Sequence, residues 1–199
     1  MTNKNERSRD PTMTEASAAL LSLMTAYRQL NYGLSKIEVQ KLAYFLQEAG
    51  EDLRLQFVKH HYGPYADALR HALDKMDGHF IHGLGDGVVE SEIAPNQDAL
   101  AEAEQFIQQN QNHQLLEHIA KVDELIEGFQ SPYGMELLST VHWVATRERA
   151  QNPAQALEHI QAWNKRKRQL MQPAHIKVAW QQLTELGWIK MATAETASS

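Results

Sequence analysis

Residues 35–50 read SKIEVQKLAYFLQEAG, and the fold turns on this stretch. The Ser35 hydroxyl is spaced to take the amide three residues on, while the Glu38 carboxylate can reach back to the Ser35 amide, a capping box that starts a helix. Val39, Leu42, Ala43, Leu46 and Ala49 then form one apolar stripe at helical spacing, and Gly50 supplies the stop.

On the N-terminal side, Thr12 and Glu15 repeat the capping spacing. Leu20, Leu23, Met24, Tyr27 and Leu30 recur at helical intervals up to Gly33, so a helix is expected over about 14–31. On the C-terminal side, residues 53–58 alternate as a short strand, and the turn HYGP (61–64) follows. Pro64 is expected as the first residue of a third helix ending near Met76, with Tyr65, Leu69, Ala72, Leu73 and Met76 as its stripe. Residues 78–93 read as a hairpin, HFIHG, LGDG and VVESEI, with Asp86-Gly87 at the turn. Two polar helices are expected over 99–109 and 114–127. Pro132, Pro153 and Pro173 sit where first helical residues would, giving three more helices that end near Glu148, Lys167 and Leu186, with Trp188-Ile189 as a strand stub. The expected class is mainly α with a small antiparallel sheet, built from 53–58, the hairpin and the stub. The helix, turn and short strand at the C-terminal end follow the element order of a winged helix, a likeness of order alone.

The chain has 199 residues, enough for one sizeable core, and no cysteine, which excludes disulfides, thiolate metal sites and cysteine nucleophiles. Residues 1–12 and 191–199 are polar and unpatterned and read as a linker and a tail around a domain at 13–190. The linker-like start suggests a piece of a longer polypeptide. No secretory h-region or membrane-length apolar run occurs, so a reducing cytoplasm is the expected compartment. The net charge of −6 hides a polarity. Residues 91–140 hold nine acids against Lys121 alone, whereas 141–199 carry eight bases and four acids. An acidic chain is poorly suited to coating nucleic acid, and a basic partner surface is the simpler expectation.

Ten histidines invite a metal reading, but His60-His61, His79 with His82, and His113 with His118 match no ligand spacing. Nucleophile elbows, phosphate loops and dinucleotide fingerprints are absent from the sequence, so no catalytic residue, metal or cofactor is assigned. The basic run Lys165, Arg166, Lys167, Arg168 reads either as a solvated helix end or as a DNA-contacting cluster beside Trp163.

QKLAYFLQEAG (40–50), RLQFVKHHYGPYADALRHAL (54–73) and MDGHFIHGLGDG (76–87) together resemble the C-terminal, toxin-neutralising region of DarG-type macrodomain antitoxins. More distantly, the helix motif followed by a YGP turn is similar to SocA-like or Panacea antitoxin domains. The likeness spans about 15–189, with the specific motifs confined to 39–87. It implies a non-enzymatic domain that binds and occludes a DarT-like DNA ADP-ribosyltransferase, and an upstream macrodomain, absent from this sequence, that removes ADP-ribose from DNA. Such a toxin must accept single-stranded DNA, so an acidic domain could occupy its groove as a mimic of that strand.

Residue by residue, Gln40, Lys41 and Tyr44 match the helix motif, and Tyr62, Gly63, Pro64 and Tyr65 match the turn; packing alone would also explain Tyr44, Gly63 and Pro64. The expected partner surface is Lys59, His60, His61, Tyr62, Tyr65, His82 and Asp86, because loops carry contacts while helices position them, together with acidic Glu102, Glu104 and Glu117. The competing function is a DNA-binding, autoregulatory module using residues 165–168. A hydrolase with a histidine–carboxylate pair ranks third.

Overall fold

The computed structural model describes residues 10–28, 33–85 and 91–190. The expectations for residues 1–9 and 191–199, for Leu30 and Asn31, for the Asp86-Gly87 turn and for the first half of VVESEI (88–90) lie outside these. Among the described residues the fold is mainly helical, with nine helices and two separate antiparallel two-stranded ribbons.

Helix α1, Glu15–Arg28, starts one turn of reasoning away from expectation. The capping pair is Thr14 and Ser17, each side chain taking the other's amide at 3.1 and 2.8 Å, and not Thr12 with Glu15. Helix α2, Lys36–Ala49, has its capping box at Ser35 and Glu38 and its stop at Gly50, φ 126°, as expected. It is more than amphipathic: every residue from Glu38 to Leu46 is buried. A helix that packs against α1, against later helices and against a strand has no solvent face left for its polar residues.

Residues 53–57 do alternate in burial, but they pair with no strand. The Gln47 side chain takes their place, accepting from the Leu55 amide and donating to its carbonyl, both at 2.9 Å. The ladder comes later, β1 Val58–His60 against β2 Gly63–Tyr65, with Lys59 opposite Pro64. Pro64 is therefore a strand residue, and helix α3 begins three residues on, at Asp67–Met76. Strands β3 Ile81–His82 and β4 Ala94–Pro95 form the second ribbon, so the first arm of the expected hairpin pairs with residues just past 78–93, while Ile93 bridges to Leu34.

Helices α4 Gln97–Asn110 and α5 His113–Ile126 are the expected acidic pair. Pro132, Pro153 and Pro173 open α6 Pro132–Thr146, α7 Pro153–Trp163 and α9 Pro173–Glu185, as their fixed φ and missing amide favour. The expected run to Lys167 is broken at Asn164, and Lys165–Leu170 forms its own short helix, α8. Trp188 and Ile189 form no strand; both amides fold back onto the Leu183 carbonyl. Among the described residues no strand follows Pro95, so the winged-helix likeness is not realised. One hydrophobic core joins every described helix but α8, with α2 packed against α1, α5, α6 and β2. No described helix is long and apolar enough to cross a membrane.

Candidate functional site

The β1–β2 hairpin is gripped from three sides by polar groups, those from α2 and α6 buried. From α2, Gln40 donates to the Ala66 carbonyl at 3.0 Å and accepts from its amide at 2.9 Å, and Lys41 donates to the Pro64 carbonyl at 2.6 Å. Gln40 and Gln47 are seven residues apart, so one face of α2 clamps both the extended segment and the start of α3 by the same amide pairing. From α6, Thr140 and Ser139 close on Gly63, whose φ of 104° is left-handed. A Cβ there would also lie 3.2 Å from the Thr140 Oγ1. From the α7–α8 junction, the Trp163 indole donates to the His60 carbonyl at 2.9 Å and Asn164 to that of His61 at 3.0 Å.

Behind this grip lies a buried charge cluster. The Glu136 carboxylate, on α6, receives Lys167 Nζ at 2.7 Å and both oxygens receive Arg166 Nη1 at 2.9 Å. Lys167 also donates to Thr140 at 3.1 Å and is fully buried; burial holds its pKa below the usual lysine value although Glu136 opposes the shift. The basic run is thus split between the interior and the surface. Lys167 is interior, Arg166 is half-buried and lies 4.8 Å from the Tyr62 ring, and only Lys165 and Arg168 are exposed. Trp163 is no stacking platform: it packs on the core with Lys59 and Lys167 over its ring at 4.5 and 5.0 Å.

A second buried pair fixes the other end of α2. Tyr44, whose pKa burial raises, shares a hydrogen bond of 2.6 Å with the His142 Nδ1. Burial pushes the His142 pKa down to about 4, so the ring stands neutral. The nearby Glu48–Arg147 ion pair acts on it in opposite directions.

Above the hairpin and α2 opens a cleft of about 680 Å³. Lys41, only 1 % exposed, forms part of its floor, and His60, Tyr62 and Tyr65 line a wall, with His60 stacked on Tyr65 at 4.7 Å. Asp67, Arg70 and Asp74 of α3 line it too, Arg70 reaching the two carboxylates at 3.0 and 3.5 Å. Lys36 bonds the Gly85 carbonyl at 3.1 Å across it. These cations, aromatic faces and already paired carboxylates suit recognition. Among the described residues no three His, Cys, Asp or Glu groups could hold a metal ion.

The structure therefore gathers Gln40, Lys41, His60, Tyr62 and Tyr65 around one cleft. It leaves Lys59 beside Glu148 at 2.7 Å, His61 exposed at the hairpin tip, and His82 exposed and bonded to Asn96 at 2.6 Å, all outside that cleft. Glu102 and Glu104 on α4 and Glu117 on α5 are exposed, away from it. Sequence reasoning missed Arg70 with Asp67 and Asp74, though their three- and four-residue spacing marks an ion-paired helix face. It also missed Glu136, a lone carboxylate inside the apolar run GMELLSTVHW, which is a signal of a buried partner.

The fold and site define a helical domain that presents a braced hairpin and a charged cleft to a ligand or partner. No family model matches the chain. It is homologous to part of proteins named DNA ADP-ribosyl glycohydrolase. It is 41% identical over 180 residues to the one from Thermus aquaticus, a match that covers 90% of this chain and 49% of that protein. To those of Mycobacterium bovis and Mycobacterium tuberculosis it is 37% identical over 185 residues, covering 84% of this chain and 51% of theirs. The chain thus spans about half the length of the curated relatives it matches.

Proposed function

We propose that this chain is a toxin-neutralising antitoxin domain. It binds a DarT-like DNA ADP-ribosyltransferase and covers its DNA or NAD site stoichiometrically, with no chemistry of its own. The observation that carries this reading is the extent of the homology: nearly the whole domain aligns with only half of each glycohydrolase, and its own motifs resemble the toxin-binding region of that family. The hydrolytic activity in the relatives' name then belongs to the other half, a macrodomain, whose Gly-rich ADP-ribose loops have no counterpart in this sequence.

The braced hairpin supports the same reading, since a loop held from three sides loses little further entropy on binding. The exposed acids Glu102, Glu104 and Glu117 are suited to a basic groove built for single-stranded DNA. The DNA-binding alternative is weakened by the inward turn of Lys167 and Arg166, which leaves two exposed bases on α8. Co-expression with the cognate toxin tests the proposal: the two chains should co-purify as a stable complex, and failure to associate would overturn it.

A further inference from the structure

Lys41 stands out in the buried charge cluster. Three cations, Lys41, Arg166 and Lys167, surround one carboxylate, and Arg166 and Lys167 take up both Glu136 oxygens. Lys41 receives neither. Its single hydrogen bond runs to the Pro64 carbonyl, although an ammonium carries three donors. A buried cation with one neutral acceptor is costly, and its burial beside the like charge of Lys167 pushes its pKa down to about 7. The residue is 1 % exposed, yet it is among those that line the open cleft, so the cluster lies directly beneath it.

We propose that the cleft is a socket for a single carboxylate, the side chain of an aspartate or glutamate on the protein partner. In it Lys41 supplies the charge from the floor, and the stacked His60 and Tyr65 form the wall. The surroundings select a protein carboxylate over a nucleic-acid backbone. Asp67 and Asp74 line the same cleft and the chain is acidic as a whole, so a polyanion meets repulsion that one carboxylate on a basic surface does not. The inference deepens the antitoxin reading and rests on it only for the identity of the partner. It also reverses the polarity expected of the acidic helices: here the partner supplies the acid and this domain the base.

The test has two arms. In the first, the full chain is titrated with sodium acetate, acetamide, sodium phosphate and sodium chloride at matched ionic strength, while the backbone amide resonances of Gly63, Tyr65 and Ala66 are followed by NMR. Acetate should shift them saturably, with no such shift in Lys41→Met or Lys41→Gln. Losing a poorly compensated buried charge should leave Lys41→Met folded, with a thermal midpoint at or above wild type. An equal response to acetamide or chloride would overturn the socket, and tighter binding of phosphate than of acetate would overturn the choice of carboxylate. In the second arm, Lys41→Met should weaken binding to the cognate toxin by at least ~30-fold, as loss of a desolvated charge pair does. Wild-type affinity in that variant would overturn the assignment to the partner. A toxin that does not bind even the wild-type chain would sink the antitoxin reading, while the acetate titration still judges the socket.

Discussion

Helices α4 and α5 turn Glu102, Glu104 and Glu117 outward, where they join no ion pair among the described residues, whereas α2, α6 and α8 turn Lys41, Glu136 and Lys167 inward. Charge in water is cheap to keep and free to meet a partner, but screening limits its reach to about 10 Å. Charge in the interior is tolerated only with partners in place, so it fixes geometry. In this molecule the interior charges hold the hairpin, and under the proposed function the exterior charges are left to guide encounter. Changes to the first set should therefore appear as stability, and changes to the second as rate.

The largest effect is expected at Glu136. Replacing it with Ala strands Lys167 in the core, and urea unfolding should show a loss of about 3–5 kcal/mol. Adding Lys167→Met should restore most of it. A cost below about 1 kcal/mol for Glu136→Ala would show that the interior cluster does not brace the fold.

His142 sets the acid limit. Its folded pKa of about 4 lies below the ordinary histidine value of 6.5, so the unfolded chain binds the extra proton between those values. Its contribution is fully present above pH 6.5 and is lost as pH falls towards 4, amounting to roughly 3 kcal/mol at most. Denaturation at a series of pH values should show this slope in wild type and a flatter one in His142→Gln. The same slope in both would place the titration elsewhere.

Outside the core, reversing Glu102, Glu104 and Glu117 to Lys should leave stability near wild type and slow association with the toxin by about tenfold at low salt. The difference should shrink as salt rises, and an unchanged rate in stopped-flow mixing would make this face a bystander. The smallest effect is expected on α8, where Lys165→Gln with Arg168→Gln should change neither toxin binding nor duplex DNA affinity. Duplex binding that is tight in wild type and falls with this pair would revive the DNA-binding alternative. Extending the change to Lys167 would confuse the result by unfolding the domain.

Much of the fold was legible because its signals are local. The Ser35–Glu38 box, the Gly50 stop and the prolines opening α6, α7 and α9 each act within one helical turn. The misreadings share a different cause. The fixed φ of Pro64 suits a helix start and a strand edge alike, and the choice falls to Gln40 and Lys41, more than twenty residues away, which take the backbone groups of Pro64 and Ala66. The alternation at 53–57 is real, yet its partner is a side chain, Gln47. Lys165 to Arg168 looked like a surface patch because Glu136 lies 29 or more residues earlier. Of the site, the motif residues around the cleft were legible, but the placement of Lys41 beneath it was not, since a lysine next to Leu42 and one turn before Phe45 reads equally well as a solvated edge of the helix.

Under the proposed function the domain neutralises by occupying its toxin and not by chemistry. Purified chain should be titrated against a fixed, active-site-counted amount of the cognate toxin, well above the Kd, with ADP-ribose incorporation into single-stranded DNA and free ADP-ribose both followed. Incorporation should fall linearly to zero at equimolar domain, with no ADP-ribose released from modified DNA. Complete inhibition at strongly substoichiometric domain, or release of ADP-ribose by the domain alone, would contradict it.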